Sequence, residues 1–165
     1  MSNATTGNTN CIISPIRMKR FQIQGYDRFT DSELYDYRLG LRFAYFLCGS
    51  LVLLGMIFEN LWILSSAFII AFFGSFLLRH PFDYLYNYAI RYLIHKPVLP
   101  FRTAQGRFAC GIATVWTAII IYFFYSGHIS LGFIAGGILI LLAVLVSIFD
   151  ICIPSMIYNF LFRRT

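Results

Sequence analysis

The chain has 165 residues, of which 59% are hydrophobic, 19% aromatic and only 12% charged, with a net charge of +6. Soluble domains carry about 25% charged residues, and a domain this small leaves too much surface in water to hide such an apolar excess. A soluble enzyme, a disordered chain and a disulfide scaffold are excluded, which leaves an integral membrane protein.

Residues 1–40 read as a cytoplasmic N-terminal arm. Residues 1–10 are polar and uncharged, a disordered tail with no apolar core of a secretory signal behind it. Residues 16–23 mix apolar and basic side chains without a clean period, which suggests short extended structure, and Gly25 suggests a turn. Thr30-Asp31-Ser32-Glu33 has the spacing of a capping box, so a juxtamembrane helix is expected to start near Asp31 and run into the first span, with Gly40 as a bend.

Four runs then have the length and apolarity of spanning helices: residues 41–58, 61–78, 108–127 and 129–149. Arg42 is the sole charge in them and is expected to snorkel outward. Glu59-Asn60 joins the first two runs and Gly127-His128 the last two, so the fold class is all-α integral membrane, four transmembrane helices as two antiparallel hairpins across residues 41–149. Small residues recur at helical spacing: Ala67, Ala71 and Ser75; Gly106, Cys110, Thr114 and Ala118; Gly132 and Gly136 with Ala135, Gly137 and Ala143. Such faces pack helices within one chain, or join copies into a homo-oligomer.

The loop 79–107 holds a segment, residues 80–96, that reads as a cytoplasmic interfacial amphipathic helix between spans two and three. Pro81 suits a first helical position, and Phe82, Leu85, Ala89, Ile90, Leu93 and Ile94 form an apolar stripe. Asp83, Asn87, Arg91 and His95 form a polar stripe expected to face water or other cytoplasmic segments, with Tyr84, Tyr88 and Tyr92 beside it at headgroup level. In the C-terminal segment 150–165, Pro154 interrupts or bends the helix and Arg163-Arg164 anchor the end at the interface.

All 13 basic residues lie in the arm and its junction with the first span, the loop 79–107 or the tail, at or next to the same face as both termini. The positive-inside rule places that face in the cytoplasm, so the chain is read as a multi-pass protein of a bacterial inner membrane with N- and C-termini inside. The basic balance signals topology and attraction to anionic lipid, and no nucleic-acid partner is expected. Chemistry outside lipid must then be cytoplasmic, because only residues 59, 60 and 128 face the other side.

Cys48 and Cys110 lie in spans and behave as small hydrophobes. Cys11 and Cys152 are candidate thiols on the cytoplasmic side. They suggest a redox pair, or a metal site drawing on His80 and His95, although no two of these four have the close spacing of a metal knuckle. Asp150 beside Cys152 works against a reactive thiol, since a carboxylate raises a thiol pKa. A coupled transporter normally carries a charge or His inside a span, and the carboxylates Glu59 and Asp150 sit at span ends, which disfavours transport.

Cys11, Ile23-Gln-Gly25-Tyr26, His80-Pro-Phe-Asp83, Tyr86-Asn87-Tyr88 with Arg91, Arg107-Phe-Ala-Cys110 and Asp150-Ile-Cys-Ile-Pro-Ser155 together resemble a bacterial family of small four-span membrane proteins classed as a domain of unknown function, the DUF4395 type. The resemblance implies no activity, but its motif positions fall mainly on the cytoplasmic side. A structural or interaction protein is therefore the leading reading, with no cofactor, no metal and no catalytic residue expected. Its candidate surface is His80, Asp83, Asn87, Tyr88, Arg91, Arg107 and Asp150, and its partners are the lipid bilayer and a cytoplasmic or membrane protein. The alternatives are a thiol or metal-binding protein using Cys152 and Cys11, and a small transporter or oligomeric channel.

Overall fold

The computed structural model describes residues 13–162, and the regular structure in them is entirely helical. Cys11, Arg163 and Arg164 lie outside the described residues. Helix α1 spans Pro15–Ile23, with Pro15 at its first position, where a missing N–H costs nothing. The extended structure expected there is thus a helix: Phe21, Tyr26 and Leu34 pack into a small core that the sequence period did not reveal. Gly25, at φ 87°, makes the turn that follows.

Helix α2, Asp31–Ile57, is one continuous rod of 27 residues. It starts where the capping box predicts, and the Thr30 backbone N–H donates to the Glu33 carboxylate at 2.9 Å. Gly40 does not interrupt it. A side chain there would collide with Leu99 and Tyr86, so the glycine is a point of close approach. Helix α3, Leu61–Phe76, is capped by Asn60, whose side chain accepts from the N–H groups of Trp62 and Ile63.

After α3 the chain turns by 87° into residues 81–94. These form a short helix α4 (Pro81–Leu85), a π turn (Tyr86–Ile90) and a last helical turn α5 (Arg91–Ile94), closed by His95 in the left-handed region at φ 51°. Helix α6 spans Ala104–Tyr125, α7 Ile129–Phe149 and α8 Ile153–Phe162. The helices α2, α6 and α7 are each long and apolar enough to cross a membrane, and α3 with the bent segment 81–94 forms a fourth, broken candidate.

The four long helices pack antiparallel, α2 with α3 and α7, α6 with α3 and α7. Along α2 and α7 the contacts recur every seven residues: Arg42 meets Asp150, Gly49 meets Ala143, and Met56 meets Gly136. A seven-residue repeat is the spacing of shallow left-handed helix crossings. Gly132 faces Phe124 and Gly136 faces Met56, so this glycine pair packs within the chain. On α6, Gly106, Cys110 and Thr114 are buried but Ala118 is exposed, and Thr117 takes the inward position. Steps of four on a helix with about 3.6 residues per turn drift around it, so the fourth member leaves the face.

Of the two surroundings expected for the polar stripe of residues 80–96, water or other segments of the loop, Asp83 and Asn87 have the second and His95 the first. Asp83 and Asn87 are buried, whereas Leu85 and Leu93 of the apolar stripe are exposed. A buried cation, Arg102, draws Asp83 inward, and the π turn widens the helix after it, so that Arg91 and His95 no longer share its face.

Candidate functional site

One end of the bundle carries the start of α2, the end of α3, the start of α6 and the end of α7. Three polar connections tie the remaining segments onto it. The first is the ion pair of Asp83 and Arg102, with side chains 1% and 3% exposed. Arg102 donates from Nε to Asp83 Oδ2 at 2.7 Å and from Nη2 to Oδ1 at 2.5 Å. Asp83 also accepts from the His80 backbone N–H at 3.1 Å, capping α4, and the Arg102 guanidinium stacks 5.2 Å from the Tyr45 ring centre. Burial alone would lower the Arg102 pKa, but the hydrogen bonds and charge of Asp83 raise it above its ordinary value, so the guanidinium stays charged.

The second connection is Arg42 with Asp150. Arg42 Nε donates to Oδ1 at 2.6 Å, and its Nη2 bonds both Oδ2 and the carbonyl of Ile148. Arg42 is thus engaged by the buried carboxylate that ends α7 directly across from it. Asp150 is in the left-handed region at φ 59° and closes α7. The third connection is a set of side-chain to backbone hydrogen bonds at α1 and its C-terminal cap. Gln24 donates to the carbonyl of Asp150 at 2.9 Å, Arg20 to that of Phe149 at 2.6 Å, and Asn159 to that of Ile23 at 2.7 Å. Thr103, the cap of α6, donates to the Gln24 carbonyl at 2.6 Å. Burial within this end pushes the Tyr26 hydroxyl up to about 12.

Of the residues singled out in the sequence, His80, Asp83, Asn87 and Asp150 are buried inside this end rather than displayed on it. Asn87 Oδ1 accepts from the Leu99 N–H at 2.9 Å, which pins the irregular run 96–103 to the π turn. Tyr88 is exposed, and Arg91 lies beside it, bonding the Asn87 carbonyl and the Tyr92 hydroxyl. Arg107 stands apart on the outer face of α6. Arg42, Arg102 and Gln24 were not among the expected site residues. A charge inside an apolar run was the available signal for Arg42; Arg102, between two prolines and a glycine, carries none.

Below this end lies an internal cavity of about 90 Å³, bounded by the small residues Ala44, Gly49, Ala71 and Ala109 and by Leu139 and Val146. At its end nearest the ion pair it is lined by His80, Arg102 and Cys152, which add little polar surface to it. His80 Nδ1 accepts from the Phe82 N–H at 3.2 Å, which leaves Nε2 directed to Cys48 Sγ at 3.7 Å. The rest of the lining is uncharged and mainly apolar, so the space does not provide a polar path along the bundle. Cys152 is buried, its Sγ 3.0 Å from the Ser155 hydroxyl, and burial pushes its thiol pKa up. That is the setting of an inert cysteine. Among the described residues, no three His, Cys, Asp or Glu side chains come together as a metal site.

A bundle of apolar helices, three or four of them of spanning length, with two buried ion pairs at one end, defines the class: an all-helical protein of membrane type. The chain belongs to the family described as domain of unknown function DUF4395, whose pattern matches residues 38–163. Neither a curated protein nor a solved structure matches it.

Proposed function

We propose that this is a four-span protein of a bacterial inner membrane, with both termini and the loop 79–107 in the cytoplasm, and that it acts as a structural or interaction protein rather than an enzyme. One observation carries the reading: the two carboxylates of the polar end nearest the bundle, Asp83 and Asp150, are turned inward. They are held by Arg102 and Arg42, while Asp36 pairs with Lys96 at 2.7 Å on the surface. Along residues 84–92 the outer rim presents Arg91 with Tyr84, Tyr88 and Tyr92, a cationic and aromatic edge. Arginine and tyrosine are the side chains enriched where proteins dock, and tyrosine suits a headgroup layer. The buried pairs hold the edge in place rather than forming it.

The test has two parts. In a cysteine-free background, a membrane-impermeant maleimide reaches Glu59→Cys and His128→Cys from outside the cell, and Tyr88→Cys only in inverted vesicles. Labelling of all three from one side overturns the topology. A photo-crosslinking residue at position 88 yields a discrete protein adduct in growing cells, and Arg91→Glu abolishes it. Crosslinks to lipid alone overturn the interaction reading.

A further inference from the structure

We infer that one anionic phospholipid is bound on the outer face of α6, with its phosphate on Arg107 and one acyl chain in the groove below it. The inference rests on the membrane reading above and adds a specific ligand. The groove, of about 740 Å³, lies where α3, α6 and α8 meet and is walled by Phe108, Ile112, Val115, Trp116 and Tyr158. Arg107 is its one charged residue and stands at the end nearest the other basic residues. Its Nε is buried with no hydrogen-bond acceptor among the described residues, in contrast to Arg42 and Arg102, which are held by carboxylates. A guanidinium half out of water without an acceptor calls for an anion, and the first turn of α6 adds its positive dipole end.

Length supports the same occupant. From Arg107 to Trp116 the helix rises about 13–14 Å at 1.5 Å per residue, close to the roughly 15 Å depth of one leaflet's hydrocarbon. A headgroup on Arg107 thus places an acyl chain alongside the groove as far as the bilayer midplane. Gly111 keeps the groove open. A Cβ there would meet only the Ser75 Cβ, at 3.9 Å, so helix packing does not require the missing side chain.

The test is native mass spectrometry of the full-length protein in detergent, with phosphatidylglycerol and phosphatidylcholine of identical chains. Phosphatidylglycerol is retained over phosphatidylcholine by about fivefold, the effect of one basic residue on an anionic lipid. Arg107→Gln removes that preference, Arg107→Lys keeps most of it, and Gly111→Leu lowers retention of both lipids. An equal preference in the wild type and Arg107→Gln overturns the site. So does displacement by inorganic phosphate with no effect of Gly111→Leu, which marks a headgroup site without a chain groove. Extraction of the protein by carbonate washing overturns the membrane reading itself, whereas an integral protein without headgroup preference overturns only this proposal.

Discussion

Arg102 and Asp83 are 19 residues apart in the chain and meet through two hydrogen bonds, both side chains out of water. Their pairing clamps the 87° turn after α3 to the approach of α6. Because Asp83 also caps α4, one carboxylate closes the turn from both sides.

Removing one partner leaves a buried charge. Arg102→Met or Asp83→Leu alone is expected to cost about 3–5 kcal/mol, and the double variant to recover much of it, since a well-packed apolar pair avoids the desolvation of both ions. Thermal unfolding in detergent measures this. Equal melting of the wild type and Arg102→Met would show that the pair does not hold the turn.

Asp150 combines a charge with a left-handed backbone. Asp150→Gly loses only the ion pair, whereas Asp150→Ala also strains the backbone and is expected to be less stable by a further ~1 kcal/mol. The order Gly above Ala in melting temperature checks it.

Gly40 touches Leu99 and Tyr86. Gly40→Ala overfills that contact, and a loss of about 1–3 kcal/mol is expected. If Gly40 were only a flexible joint, Ala would stabilise the helix by about 1 kcal/mol instead, so the sign of the change decides.

Cys152 is buried with a raised thiol pKa, burial being the largest cause and the Ser155 hydrogen bonds opposing it. The thiolate is therefore scarce near neutral pH. Maleimide labelling of Cys152 is expected to be slow in the folded protein at pH 7–8 and fast after denaturation. Rapid native labelling would restore the redox reading.

Glu33 has its pKa lowered, chiefly by the Thr30 backbone N–H and then by the Thr30 hydroxyl. A depressed carboxylate pKa gives stability that is present above its ordinary value near 4.5 and lost as pH falls through the folded value. Hydrogen exchange in the first turn of α2 is expected to quicken as pH falls from 5 to 3, after correction for the intrinsic rate. In Glu33→Gln the corrected rate stays flat over the same range.

Membrane class and the long helices were legible from residue order, because both depend on local sums: apolar runs of spanning length, Thr30 and Glu33 at the start of α2, Asn60 at the start of α3. The short connections at Glu59-Asn60 and Gly127-His128 determined the antiparallel neighbours for the same reason. Only the tertiary structure decided which charge meets which. Asp83 with Arg102, Arg42 with Asp150, and Gln24 with the end of α7 are contacts across 19 to 126 residues. The orientation of the segment 80–96 followed from them. A stripe of polar side chains at helical spacing states that they share a face, not where the face points. A buried Arg102 turned it inward, because a guanidinium already out of water needs a carboxylate beside it.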